Sequence, residues 1–438
     1  MSDITYNFDN MLAERIGPGY GITAEELEQA IERSEAGHAA VQARRAAGKL
    51  HFMDLPQERE VLARLSEIRE SRPWVKHFVV VGIGGSALGS IALDHTFSST
   101  TTSPQVQFHC FDNVDPEELH AFFQTVDLRE TLFNIVSKSG STLETAATFL
   151  LVRQELKKKL GTDYKKHLIF TTSNTVGLLR EVSAAEGIEM LVHPDDVGGR
   201  FTVLSVVGLF PAVWMGIDVE KLLDGAARMD ERCQEPFASN PGQQFAALQY
   251  ASYVFKKQNV VTMMPYAFRL KKWPEWFKQL WAESLGKQYD RQGKEIRVGQ
   301  TPTQALGSTD QHSQIQLFNC GSRDRNIVFL QVEQFDHDLI ISETPDQVDE
   351  LAYLQDKSFS QIMTAEYEGT RGALVENQVA NSTLVLPDIS AYTIGQLIYL
   401  LEYATAVSGE LYNIDAFNQP GVERGKEIAY KLLGRAGY

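Results

Sequence analysis

Glu283 stands four residues after Gln279, in a stretch that opens on Trp273-Pro274 and reads as a helix to Leu285. Side chains four apart share one face of a helix. A carboxylate held there suits a base that lifts a proton from one carbon and returns it to the next. The same Gln/Glu spacing is also an ordinary solvated surface pair. Arg200 follows Gly198-Gly199, where the missing side chains let backbone come close. A guanidinium fixed in that way suits a developing oxyanion, and equally a structural ion pair at a domain boundary. His312 sits in a polar run beside Asp310 and Gln311, and Lys426 lies three residues after Glu423, the spacing of a common helical ion pair.

Two junctions are rich in small and hydroxyl residues: Gly82-Ile83-Gly84-Gly85-Ser86-Ala87-Leu88-Gly89 and Ser137-Lys138-Ser139-Gly140-Ser141-Thr142. Loops of this kind at a helix N-terminus present backbone N–H groups and the positive end of the helix dipole to an anion. Ser86, Ser137, Ser139, Ser141 and Thr142 would add hydroxyls, and Lys138 adds charge. Gly82, Gly84 and Ala87 also satisfy a dinucleotide fingerprint, with Asp112 where a ribose-binding acid would stand. A tight turn needing glycine is the plainer reading of that loop alone. The second cluster favours one phosphate gripped by several hydroxyls, and neither loop has P-loop spacing.

The elements that must position these residues alternate. Thr23 and Glu26 form a capping box before a helix running to about Lys49, and a second helix is expected from Pro56 to Arg72. His77–Ile83 is a continuous apolar run, the mark of a strand buried on both faces. Strands at Val106–Phe111, Leu132–Val136, His167–Thr171 and Glu189–Val192 alternate with a helix opening on Asp115-Pro116 and helices at about 142–160 and 176–185. That order predicts a doubly wound, mainly parallel sheet. The second half repeats it less cleanly, with strands at Val260–Met264, Asn326–Val332 and Thr383–Leu386 and helices opening on Asn240-Pro241, Trp273-Pro274, Ser358, Tyr392 and Val422. The expected division is a helical arm (1–48), a first α/β domain (49–200), a second (201–410), and a C-terminal loop and helix carrying Lys426 (411–438).

Composition narrows the classes. The 438 residues carry 41 Lys+Arg against 57 Asp+Glu, a formal net charge of −16. Such a surface argues against a sequence-independent nucleic-acid binder and against adhesion to anionic membranes. Cys110, Cys233 and Cys320 make neither a disulfide framework nor a metal pattern. No metal and no cofactor is expected. The first residues lack the basic start and apolar run of a secretory signal, and the most apolar stretch, Thr202–Ile217, is interrupted by Pro211 and falls short of the ~20 residues of a spanning helix. A reduced, soluble, cytoplasmic protein is expected.

Six segments, in order from residue 82 to residue 426, together carry a resemblance: GIGGSALG, SKSGST, DVGGRFTVLS (Asp196–Ser205), ESLGK (Glu283–Lys287), TDQHS (Thr309–Ser313) and FNQPGVERGK (Phe417–Lys426). The chain resembles the glucose-6-phosphate isomerase family in its shorter bacterial form. The resemblance implies two sugar-isomerase (SIS) domains and reversible isomerisation of glucose 6-phosphate and fructose 6-phosphate through a cis-enediol, in glycolysis and gluconeogenesis. It puts the proton-transferring base at Glu283, ring opening at His312 and Lys426, and stabilisation of the intermediate at Arg200. Substrate contacts fall on Gly85, Ser86, Ser137, Lys138, Ser139, Ser141, Thr142, Gly199, Gln279 and Gln419. It further implies a homodimer in which His312 completes the neighbouring subunit's site. Another phosphosugar aldose–ketose isomerase, a non-catalytic phosphosugar-binding module and, from Gly82, Gly84 and Ala87 alone, a nicotinamide-dependent dehydrogenase are the alternatives.

Overall fold

The computed structural model of the chain describes residues 2–98, 105–345, 347–435 and 437. Its strands in chain order are β1 (Thr5–Asn7), β2 (His77–Val81), β3 (Gln107–Phe111), β4 (Thr131–Val136), β5 (Leu168–Thr172), β6 (Glu189–Val192), β7 (Val260–Pro265), β8 (Lys287–Tyr289), β9 (Glu295–Val298), β10 (Thr301–Gln304), β11 (Arg325–Val332) and β12 (Asn381–Leu386). The first sheet has the order β3-β2-β4-β5-β6 and is parallel throughout. The second has the order β1-β12-β11-β7-β10, parallel except for β1 on its edge. β8 and β9 form a separate antiparallel pair.

The continuous apolar run in β2 follows from burial on both faces. Phe78 and Val80, with Leu132 of β4, pack into one core with Leu65, Phe210 and Trp214. Val79 and Val81, with Phe133 and Ile135, face the other, against Phe122, Phe149, Val152 and Leu156. Successive strand residues point to opposite faces, so both sets must be apolar. Each such side chain, taken fully out of water, stabilises the fold by about 1.5–3 kcal/mol. β7 and β11 divide in the same way, Val261, Met263, Val328 and Leu330 to one side and Met264, Ile327 and Phe329 to the other.

Helix Ala391–Leu411 is buried almost all round and packs against helices Ala24–Ala46, Val219–Arg232, Pro241–Val254 and Trp273–Leu285. The expected start signals are present. Thr23 and Glu26 make both halves of a capping box, Asp115 accepts from Glu117 N–H ahead of Pro116, and Asn240 accepts from Gln243 N–H ahead of Pro241. Two readings change. Residues 55–57 form a 3₁₀ turn and the helix proper is Glu60–Glu70, because Glu58 between them is extended (φ −85°, ψ 95°). The amino-terminal segment opens with strand β1, paired to β12 through Thr5–Val385 and Asn7–Thr383, before any helix. The apolar run around Pro211 is the buried helix Val206–Met215, capped by Ser205. Among the described residues no helix is long and apolar enough to cross a membrane.

Candidate active site

β2 runs on to β3 at one edge of the first sheet, and the chain then crosses back to β4 on the other side of β2. The crevice at the carboxyl ends of β2 and β4 is therefore a topological switch point, the place where open α/β sheets take ligands. The two hydroxyl-rich loops leave these two strands. They border an open cleft of about 680 Å³ that Gly85, Ser86, Ser137, Lys138, Ser139, Thr142, Gly199, Arg200, Gln279, Glu283, Gln419 and Lys426 all line. Small-molecule sites commonly fall at about 300–1,000 Å³. Ser141 lines an adjoining cavity of about 570 Å³ beneath the C-terminal helix Glu423–Leu432, where Tyr430 donates its hydroxyl to Ser141 O at 3.1 Å. His312 stands apart. It is exposed on the turn Thr309–His312 and is not among the residues lining the cleft.

The loops are pre-shaped by their own hydroxyls. Ser137 Oγ accepts from Gly140 N–H at 3.1 Å and lies 3.1 Å from Thr142 Oγ1. Ser139 Oγ accepts from the hydroxyl and the N–H of Ser141. The first backbone bond of helix Leu143–Leu160 runs from Ala146 N–H to Thr142 O, which leaves the N–H groups before it without intrahelical partners. Lys138 Nζ rests 3.4 Å from Val197 O. Gly85 is a steric requirement: a Cβ there would stand 2.1 Å from Gly199 C and O, so the turns Gly84–Ser86 and Gly199–Phe201 can pack backbone to backbone only without it. Thr202 Oγ1 ties the two turns by donating to Gly199 O and Gly85 O.

The opposite wall is the helix Trp273–Leu285. Trp273, Trp276, Phe277, Leu280, Trp281 and Leu285 are buried on one side, so Gln279 and Glu283 are held on the less buried side. Gln279 Nε2 donates to Glu283 Oε2 at 3.1 Å, and Glu283 Oε1 lies 3.6 Å from Arg200 Nη1. Arg200 is 2% exposed and joins the parts. Its Nε donates to Ser284 Oγ (2.6 Å), Nη1 to Gln419 Oε1 (2.9 Å), and Nη2 to the carbonyls of Ala416 and Asn418. Burial pulls this guanidinium below its usual value, and the charges of Glu283 and Asp415 oppose that shift. Lys426 is ion-paired with Glu423 at 2.9 Å.

Sequence reasoning missed other lining residues: Glu144, Thr145, Ser173, Thr175, His193 and Asp195. His193 is 1% exposed, and burial is the main cause that lowers its pKa, leaving a neutral ring whose Nδ1 lies 2.9 Å from Pro194 O. Hydrogen bonds from Ser173 and Thr175 hold the exposed Asp195 carboxyl below its usual range. The available signal was position, since Glu144 and Thr145 open the helix after β4 and the other four follow the carboxyl ends of β5 and β6 in the same sheet. Among the described residues no group of three or more His, Cys, Asp or Glu side chains is placed to hold a metal ion.

A doubly wound two-sheet protein whose switch-point crevice joins hydroxyl-rich loops to a carboxylate, an arginine and a lysine has the make-up of a sugar-isomerase-type enzyme with an anionic substrate. A sequence profile for the family described as Phosphoglucose isomerase matches residues 69–436. The chain is 39% identical over 418 residues to the glucose-6-phosphate isomerase of Carboxydothermus hydrogenoformans, covering 93% of this chain and 90% of that one. Its fold is similar to a crystal structure of a hypothetical protein from Thermus thermophilus (TM-score 0.89, 38% identity, 99% of this chain and 100% of that one). It is also similar to that of a glucose-6-phosphate isomerase from Chlamydia trachomatis (TM-score 0.76, 25% identity, 88% and 78%). The chain belongs to the phosphoglucose isomerase family, and it is an isomerase.

Proposed function

We propose that this protein interconverts glucose 6-phosphate and fructose 6-phosphate, a step of glycolysis and gluconeogenesis, with Glu283 as the base. The observation that carries this reading is that Gln279, Glu283, Arg200 and Gln419 form one bonded set in the same cleft that the hydroxyl-rich loops line. The phosphate is taken by Ser86, Ser137, Lys138, Ser139, Ser141 and Thr142, with Gly85 and Gly199 lining the cleft beside them. His312 and Lys426 open the ring by moving the proton between the ring oxygen and the C1 hydroxyl. Glu283 then removes the C2 proton, and the electron pair forms the C1–C2 double bond of a cis-enediol as the C1=O π pair moves onto O1; the C2 hydroxyl proton passes to O1, C2=O forms, and the same carboxylic acid returns its proton to C1. Arg200 meets the negative charge that grows on oxygen during that transfer. In this reading residues 49–200 supply the phosphate site, residues 201–410 the base, and 411–438 Gln419 and Lys426, while 1–48 form an amino-terminal arm.

A coupled assay on fructose 6-phosphate tests the function. Turnover is expected, unchanged by a chelator, while binding of the sugar phosphate without turnover would leave a phosphosugar-binding module instead. The net charge of −16 fits a cytoplasmic enzyme that stays off nucleic acid and takes its anion through local donors.

His312 is exposed outside the cleft, and we assign it to the site of a second copy in a homodimer. The expected result of mixing is specific. Glu283→Gln and His312→Ala are each inactive alone. When their subunits are exchanged, about half of the dimers are mixed and one of the two sites in each is whole, so about a quarter of the wild-type activity returns. No recovery despite measured subunit exchange would place His312 in its own subunit's chemistry, and an active His312→Ala would put it outside the reaction.

A further inference from the structure

Lys287 follows the helix Trp273–Leu285 by two residues and begins β8. The last carbonyls of an α-helix have no N–H partner within it. Here Gly286 N–H takes Ala282 O, and Lys287 Nζ donates to the next two carbonyls, Glu283 O at 2.7 Å and Ser284 O at 2.8 Å. The lysine is 9% exposed. It lines no part of the substrate cleft. It faces a second cavity of about 740 Å³, which shares Glu283, Gln419 and Val422 with the cleft and is also lined by Tyr289, Arg291 and Asp415. An ammonium at a helix C-terminus is favoured by the helix dipole, but so little exposure also costs desolvation. Helix capping alone would be served equally well by a lysine reaching out to water.

The two carbonyls it holds belong to consecutive residues that both serve the site. Glu283 carries the carboxylate between Gln279 and Arg200, and Ser284 Oγ receives Arg200 Nε at 2.6 Å. One ammonium thus fixes the peptide planes from which both the base and the arginine's anchor project. We infer that Lys287 is a positioning residue for the isomerisation: it grips the main chain of Glu283 and Ser284 from behind the helix, and so sets how the carboxylate and the Arg200 guanidinium meet the substrate. This rests on the reading of Glu283 as the base. A base that must serve two adjacent carbons tolerates little displacement, since misplacement of about 1 Å can cost about 10²-fold in rate.

The charged groups facing Lys287 are Arg200, Glu283 and Asp415. Burial first, and then Arg200, push its amine from the usual 10.5 down to about 8, against the pull of Asp415 and Glu283. The charge-assisted grip on the two carbonyls therefore weakens as pH rises through about 8. The sign of the stability effect is opposite. Between about 8 and 10.5 the unfolded chain binds this proton more tightly than the folded one, so this group favours the fold as pH rises. Loss of turnover in that window, with the melting temperature held, is the signature of positioning rather than unfolding.

The experiment compares wild type, Lys287→Met and Lys287→Arg, measuring kcat and KM for fructose 6-phosphate from about pH 6 to 10 alongside melting temperature. Lys287→Met is expected to lower kcat by about 10–100-fold with KM within about threefold. Lys287→Arg, which stays charged, is expected to recover much of kcat and to lose the wild-type alkaline limb near pH 8. Wild-type kcat and pH profile in Lys287→Met, with only a lower melting temperature, would reduce the residue to a structural cap. Should Lys287→Met fail to fold, an alkaline limb still near pH 8 in Lys287→Arg overturns the inference. Either failure leaves the role of Glu283 intact, which fails only if Glu283→Gln turns over normally.

Discussion

Glu283→Gln is expected to lower kcat for fructose 6-phosphate by about 10³–10⁴-fold, the upper range for losing a positioned general base. KM should stay within a few-fold. The substitution keeps shape and keeps an oxygen that can accept from Gln279 Nε2, so the hydrogen bond now at 3.1 Å has a successor. What disappears is the ability to hold the transferred proton. The wall itself should stand, because the helix is anchored by Trp273, Trp276, Phe277, Leu280, Trp281 and Leu285 on its other side. Arg200 loses the carboxylate 3.6 Å away, but its bonds to Ser284, Gln419 and the carbonyls of Ala416 and Asn418 remain. The melting temperature is thus expected to move little. Exchange of solvent deuterium into C1 and C2, followed by NMR, separates the two losses. Wild type should exchange during isomerisation and the variant should bind without exchanging. Turnover within tenfold of wild type would move the base to another group in the cleft.

What could be read from the chain was whatever local composition decides. β2 was legible because both of its faces are covered, so no polar residue interrupts it. The caps at Thr23, Asp115 and Asn240 were legible because each is a side chain bonding to backbone within three residues. β1 was not: three residues with only Tyr6 partly buried carry no period, and the ladder to β12, almost four hundred residues away, is what makes them a strand. β10 (TPTQ) is polar for a similar reason, being held by its pairing with β7. Helix Val219–Arg232 was missed although its signal is ordinary, with Asp218 capping it and Leu222, Leu223, Ala226 and Met229 at helical spacing.

The site divides along the same line. The hydroxyl loops and the Gln279–Glu283 pair are local patterns and were named from sequence. The bonds from Arg200 to Ala416 O and Asn418 O span more than two hundred residues, and the cradle of Lys287 depends on where a helix stops. Neither has a local signature. His193 lay in view after β6, but a lone histidine next to a proline announces nothing until the strand ends converge.

Arg200→Lys is expected to lower kcat by about 10²–10³-fold, equivalent to about 2.7–4 kcal/mol of lost transition-state stabilisation. The charge is kept and the fork is lost. Arg200 directs Nε to Ser284, Nη1 to Gln419 and Nη2 to the carbonyls of Ala416 and Asn418, a planar spread that one ammonium cannot span. Two consequences should separate in measurement. The developing oxyanion loses a donor fixed in advance, which acts on kcat. The segment from Ala416 to Gln419 loses its tie to the turn Gly199–Phe201, which acts on stability and on how firmly Gln419 and Lys426 are presented. Leaving buried carbonyls less satisfied costs about 1–3 kcal/mol, read as a shift of the denaturant midpoint at constant slope. Restoring stability with a saturating sugar phosphate should then recover the midpoint but not kcat, because ligand binding stabilises the folded state while the oxyanion still lacks its partner. A lysine variant within tenfold of wild-type kcat would mean that charge alone suffices, and that the fork serves only to hold the C-terminal segment in place.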